Sequence, residues 1–180
     1  MEMGLTEREL RLKNDMEMEL GFIVNDPNML TYNYSNETPL MLVNFTDDPL
    51  NYTKLLIKMG ADPNFTDPEE GTVLHYAAAN ENPDTIKYLL NVGANPFIRD
   101  GQGETPYDFA NRLNHIIEAH ILKDNMIRRL QSRTRRYLTH KRRKKAYRRL
   151  ALAKSMESQQ GPFSSIRYDP SLIEKVSEFM

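Results

Sequence analysis

The stretch Gly71-Thr72-Val73-Leu74-His75-Tyr76-Ala77-Ala78, followed by Ile86-Lys87-Tyr88-Leu89-Leu90-Asn91-Val92-Gly93-Ala94-Asn95-Pro96, decides the reading of this chain. It has echoes on both sides. Glu37-Thr38-Pro39-Leu40-Met41 precedes it and Glu104-Thr105-Pro106-Tyr107-Asp108 follows it. Lys54-Leu55-Leu56-Ile57-Lys58-Met59-Gly60-Ala61-Asp62-Pro63-Asn64 repeats its second half. Thr38, Thr72 and Thr105 thus recur at a period of about 33 residues, and Gly60 and Gly93 keep the same step. Self-similarity of this kind marks stacked helical units, each too small to bury its apolar face alone. The interval from Gly60 to Thr72 equals that from Gly93 to Thr105, whereas Thr38 to Thr72 exceeds Thr72 to Thr105 by one. The excess therefore lies in the first unit, and we expect it in the turn at Thr46-Asp47-Asp48-Pro49.

Each landmark has a physical task. A threonine at a helix start accepts a hydrogen bond from an orphan N–H, worth about 1 kcal/mol. Pro39 and Pro106 then fill the first helical position, where a missing N–H costs nothing. Ile86, Leu89 and Leu90 have the i, i+3, i+4 spacing of a buried face. Gly60 and Gly93 end the second helices in the left-handed conformation, and Asp-Pro-Asn or Asn-Pro begins a turn. Every unit therefore reads as helix, turn, helix and extended loop.

Thr-x-Leu-His-x-Ala-Ala over 72–78 with Ile-x-x-Leu-Leu-x-x-Gly-Ala-x-Pro over 86–96 resembles the ankyrin repeat. The expected fold is all-α: a short ankyrin-repeat solenoid of three visible units over 37–122. Residues 1–36 form a cap or a degenerate fourth unit, since Leu20 to Asn28 mimics a second helix and its exit. Met41 and Asp108 replace the motif histidine in the outer units, and Val73 replaces the motif proline in the middle one; these departures weaken the ends of the stack. The resemblance implies a protein partner held by the loop tips and the inner helices. Mapped onto this sequence, that surface comprises Thr66, Pro68, Glu69, Gly71, Ala79 and Asn80 in one unit, and Arg99, Gly101, Gln102, Glu104, Arg112 and Leu113 in the next. It also implies a structural role for His75, bonded to loop backbone, and for His115.

The net charge of -1 hides unlike segments. Residues 1–122 hold 8 Lys/Arg and 20 Asp/Glu, whereas 123–154 hold 14 and 1. From Asn114 to Ala153 there is no Gly or Pro, so a long helix is expected. Ile116, Ile117, Ile121, Ile127, Leu130, Thr134 and Leu138 give it a partial apolar stripe, whose first part packs on the last repeat. Beyond it lie Arg133, Arg135, Arg136, Lys141, Arg142, Arg143, Lys144, Lys145, Arg148 and Arg149. Leu130-Gln131-x-x-x-Arg135-Arg136-x-x-x-His140 partly resembles the IQ motif, which implies a calmodulin-like acidic partner. The cations equally suit nuclear import or phosphates of nucleic acid, the repeat domain's own acids, or simple solvation. Residues 155–168 read as a linker, and 169–180 as a short helix with Leu172, Ile173, Val176 and Phe179 on one face. The combination is similar to ankyrin proteins of large DNA viruses, which makes a host-directed role an expectation.

No catalytic constellation stands out, and a non-enzyme is expected. The four histidines lack ligand spacing, Gly101-Gln102-Gly103 lacks a strand before it, and no cysteine is present, so neither metal nor cofactor is expected. No apolar run approaches the roughly 18 residues of a membrane span. The N-terminal MEMGLTEREL has no apolar core of a secretory signal, so the Asn-x-Ser/Thr sites at Asn33, Asn36, Asn44, Asn51 and Asn64 read as by-products of an asparagine-rich sequence. We expect an intracellular monomer, in the cytoplasm or the nucleus.

Overall fold

The computed structural model describes residues 4–28 and 36–159. The expected terminal helix over 169–180 and most of the expected linker lie outside the described residues. Among the described residues seven α-helices follow in order: α1 (Glu7–Leu20), α2 (Pro39–Leu42), α3 (Pro49–Lys58), α4 (Val73–Ala79), α5 (Pro83–Asn91), α6 (Pro106–Arg112) and α7 (Ile116–Gln159). A 3-10 turn, Val43–Phe45, extends α2. The described residues contain no strand, only an isolated antiparallel bridge between Thr66 and Thr72. By compactness the chain divides into two units, 1–129 and 130–180.

In the first unit the repeat is plain. Helices α2, α4 and α6 pack side by side, and α1, α3 and α5 form the second row. Leu40, Leu56, Leu74, Ile86, Leu89 and Leu122 are fully buried between the rows. Ala77, Ala78 and Ala110 are equally buried and let the short helices approach closely. At about 25 cal/mol per Å² of apolar surface, this shared core is the main stabilising term. α1 enters through a capping box, in which Thr6 and Glu9 satisfy each other's amides. It packs on α3 and brings Met16 and Val24 into the same core.

Three turns of one design leave the second-row helices. Asp26 accepts from the Asn28 amide, Asp62 from Asn64 and Asn95 from Phe97, across a proline each time. Gly21, Gly60 and Gly93 precede them with φ of 76°, 101° and 108°. In the later two, the Ala61 and Ala94 amides reach back to Leu56 O and Leu89 O at 2.9 Å, the six-to-one bond of a Schellman ending.

The extra residue of the first unit lies elsewhere than expected. The intervals from Thr38 to Pro49, from Thr72 to Pro83 and from Thr105 to Ile116 are equal, so the inner turns match in length. The excess sits in α3, which has 10 residues against 9 in α5. A helix absorbs one more residue by extending its last turn, whereas the inner turns are fixed by bonds to their neighbours.

The expected stripe at the start of α7 is also corrected. Ile121 packs half-buried against the core as expected, but Ile116 and Ile117 are largely exposed, and the buried residues are Glu118, Ala119 and Leu122. Ala119 and Leu122 stand one repeat after Ile86 and Leu89, so the repeat register sets the packing face. The helix runs to Gln159, well into the expected linker. Ser155 to Gln159 contain no breaker; Gly161-Pro162 is the first.

Two hairpins, Asp67–Gly71 and Asp100–Glu104, join the units. Asp67 accepts from the Glu69 and Gly71 amides, and Asp100 from Gln102 and Glu104. Their fourth residues, Glu70 and Gly103, have φ of 61° and 80°, where an L side chain is strained. Glu70→Gly should therefore be neutral to stabilising, by up to about 1 kcal/mol, while Gly103→Ala should destabilise by about 1 kcal/mol. Urea unfolding of the two variants checks the opposite signs.

Candidate protein-binding surface

The site is built from what caps the first-row helices. One position, the third after each threonine, holds Met41, His75 or Asp108. In each unit its side chain accepts the threonine's own amide: Met41 Sδ at 3.5 Å, His75 Nδ1 at 3.0 Å, Asp108 Oδ2 at 3.0 Å. Only His75 has a second pole. Because Nδ1 accepts from an N–H, it carries no proton, so Nε2–H donates to Glu104 O of the next unit at 3.1 Å. The expected structural bond to loop backbone is therefore present. Asp108 instead completes a reciprocal box with Thr105, and the Thr105 amide holds its carboxyl below the usual range.

His115 heads α7 and bonds backward, through Nδ1 to Ala78 O at 2.8 Å. Asn82 heads α5 in the same way, donating to Asn44 O at 3.0 Å. Gly101 N–H donates to Glu69 O at 2.7 Å and ties one hairpin to the other. A Cβ at Gly101 would stand 3.0 Å from that oxygen.

On this frame the exposed residues fall into order. Thr66, Pro68 and Glu69 are exposed at the first hairpin; Arg99, Gly101 and Gln102 are exposed at the second. Ala79 and Asn80 are half-buried where α4 ends, and Arg112 and Leu113 are exposed where α6 ends. Arg112 Nε meets both oxygens of Glu104 at 3.0 Å, and Arg99 lies 3.9 Å from Asp108. Gly71 departs from the expectation of a surface position. It is buried, its amide is bonded to Asp67, and a Cβ there would meet Asp67 Oδ2 at 2.9 Å. It shapes the hairpin.

Three aromatic residues escape the reading of the sequence. Phe45, 61% exposed, sets its edge on Tyr76 with centroids 6.2 Å apart. Tyr76 donates to Asp67 Oδ2 at 2.7 Å; burial, then this bond, pushes its hydroxyl pKa well up. Arg112 lies 4.6 Å over the Phe109 ring, which stands edge-on to His75. Phe45, Ala79 and Arg112 occupy the same step of successive units, as do Leu42, Tyr76 and Phe109. The period alone is enough to put them on one face.

The second unit offers another surface. Residues 130–150 are nearly all exposed. Leu130, Thr134 and Leu138 share one side of α7, flanked by Gln131, Arg135, Thr139 and Arg142. Arg136, Lys141, Arg143, Lys144, Lys145, Arg148 and Arg149 continue along the helix. Among the described residues no cluster has the ligands for a metal, and no helix is long and apolar enough to cross a membrane.

Comparison with known proteins agrees with this geometry. The family described as ankyrin repeats, in three copies, matches residues 40–128. A protein of Oryza sativa subsp. japonica, named as a probable E3 ubiquitin-protein ligase, is 38% identical over 82 residues, 44% of this chain and 16% of its own length. An ankyrin repeat protein of Acanthamoeba polyphaga mimivirus is 37% identical over 70 residues, 39% of this chain and 10% of its own. Ankyrin repeat and SAM domain-containing protein 6 of Rattus norvegicus is 38% identical over 91 residues, 49% and 10%. The chain thus spans a minor part of each of these relatives.

Burial lowers the pKa of His75, against weaker opposing effects of Glu104, Asp100 and Asp67. The unfolded chain, with an ordinary imidazole near 6.5, then binds more protons than the folded one as pH falls. His75 therefore contributes stability that is present above about pH 6.5 and lost as pH falls through its lower folded value. Urea midpoints at pH 7.5 and 5.5 should show this loss, and His75→Gln should show less of it.

Proposed function

We propose, from the premise that residues 40–128 are three ankyrin repeats, that this chain is a non-catalytic scaffold holding another protein on its inner helix row and hairpin tips. The observation that carries this is Phe45, a large apolar side chain left in solvent beside Tyr76. It is followed along the row by small Ala79 and by Arg112, a shape that accepts an apolar anchor. Residues 37–122 hold 13 Asp/Glu against 5 Lys/Arg, so a partner segment with basic residues around that anchor is the complementary match.

The basic stretch of α7 is a second contact, for an anionic partner; a calmodulin-like protein and nucleic acid both answer that description. Its exposure from 130 to 150 supports the reading, since none of those side chains is taken up by a core. A setting inside the cell, in the cytoplasm or the nucleus, goes with it. The mimivirus relative supports a host-directed viral role, though the plant and rat relatives match at similar identity and equally support a cellular one. The ligase name of the rice protein belongs to a chain of which this one spans 16%.

A photo-crosslinking residue placed at Phe45 or at Arg112 tests the repeat surface. In cells, both positions should give a covalent adduct with the same protein, and one at Asn91, exposed on the second row, should not. Equal labelling from all three positions would contradict the assignment.

A further inference from the structure

We propose that the helix over residues 130–152 binds in the major groove of duplex DNA, contacting phosphates on both of its sides. This rests on the reading that the tail takes an anionic partner, and the arrangement of charge selects which. Residues 133–149 carry ten cations, and no Asp or Glu occurs between Asp124 and Glu157. At about 100° per residue, Lys141, Lys144 and Arg148 point one way, and Arg135, Arg136 and Arg143 the opposite way. No arc wider than about 80° around the helix is free of a cation.

That distribution decides between partner shapes. A helix seated in an apolar groove needs an apolar stripe of about 100° or more. Here Leu130, Thr134 and Leu138 begin one, but Lys141, Lys145, Arg148 and Arg149 follow on the same side. Seating that face would draw four cations into the apolar groove, each costing several kcal/mol unless a carboxylate of the partner meets it. A membrane surface would engage one side and leave the opposite cations idle. A groove walled by two rows of phosphate uses both sides. The major groove of B-form DNA is about 12 Å wide, and an α-helix with its side chains is about 10–12 Å across. The major groove of A-form RNA is too deep and narrow to be read in this way. Residues 133–149 rise about 24 Å, the length of roughly seven base-pair steps. Tyr137, Leu138 and Tyr147 are exposed among the cations and lie at scattered angles around the helix, so they form no continuous apolar face. No residue of the stretch imposes a base sequence, so the binding is general.

The test uses the full chain with four fluorescent or immobilised probes: a mixed-sequence 30-base-pair DNA, the same sequence as duplex RNA, its single strand, and calmodulin with and without calcium. Two triple variants, Lys141→Gln with Lys144→Gln and Arg148→Gln, and Arg135→Gln with Arg136→Gln and Arg143→Gln, remove equal charge from opposite sides. Gln keeps helix propensity close to that of Lys and Arg, and circular dichroism checks that both stay helical. The proposal expects duplex DNA to bind best. If about half of the cations reach phosphates, affinity should fall several-hundred-fold between 50 and 200 mM salt. Both triples should weaken binding to within about threefold of each other and flatten the salt dependence alike. Loss with only one triple, or equal binding of RNA duplex or single strand, overturns the groove while leaving the anionic-partner reading intact. Preference for calmodulin does the same. Binding to none of the four overturns both.

Discussion

The imidazole of His75 is held at both poles, by the Thr72 amide of its own unit and by the Glu104 carbonyl of the next. That arrangement fixes three things at once. It starts helix α4, sets its height against the following hairpin, and requires a neutral ring with its proton on Nε2. A buried, unpaired imidazole nitrogen would cost roughly 1–3 kcal/mol, so the adjoining units are held in one register.

The same logic recurs as a set of polar rungs between units whose apolar contacts alone would let them slide. Asn28 accepts from the Asp62 amide and Asn64 from Asn95, at 2.7 Å each. Asn82 reaches Asn44 O, His115 reaches Ala78 O, and Gly101 reaches Glu69 O. At the first end, Lys58 holds Glu9 at 2.6 Å; that bond and the Thr6 amide bring the Glu9 carboxyl down to about 2. α1 is thereby tied to α3. At the other end Asp108 closes its own helix start, and Arg129 of α7 donates to Leu90 O at 3.0 Å.

Much of this is legible in the sequence because it is local. Threonine before proline, glycine before Ala-Asp-Pro or Ala-Asn-Pro, and the Ile86-Leu89-Leu90 spacing each encode a short-range geometry. The expectations that fail depend on a comparison between units. A turn is the natural place to expect an excess residue, yet Pro49 and Pro83 already stand at equal distance from their threonines. Ile116 and Ile117 satisfy helical spacing, but only the register of the repeat points to Ala119 and Leu122. Nothing in the segment around Gly71 reveals that Asp67 folds over it, so its own surroundings suggest a surface position. Phe45 carries no signal of its own, because its equivalents, Ala79 and Arg112, differ from it in size and, for Arg112, in charge.

The two candidate contacts follow from what this frame leaves exposed: the inner row with Phe45, on repeats that carry an excess of acids, and a helix with cations on every side. The first of them requires that the repeats hold one register, and the state of His75 reports on that directly. Nitrogen-15 chemical shifts of the ring at pH 7 should show a neutral imidazole protonated on Nε2, with an Nδ1 shift typical of an acceptor. A ring protonated on Nδ1, or an imidazolium at that pH, would contradict the account.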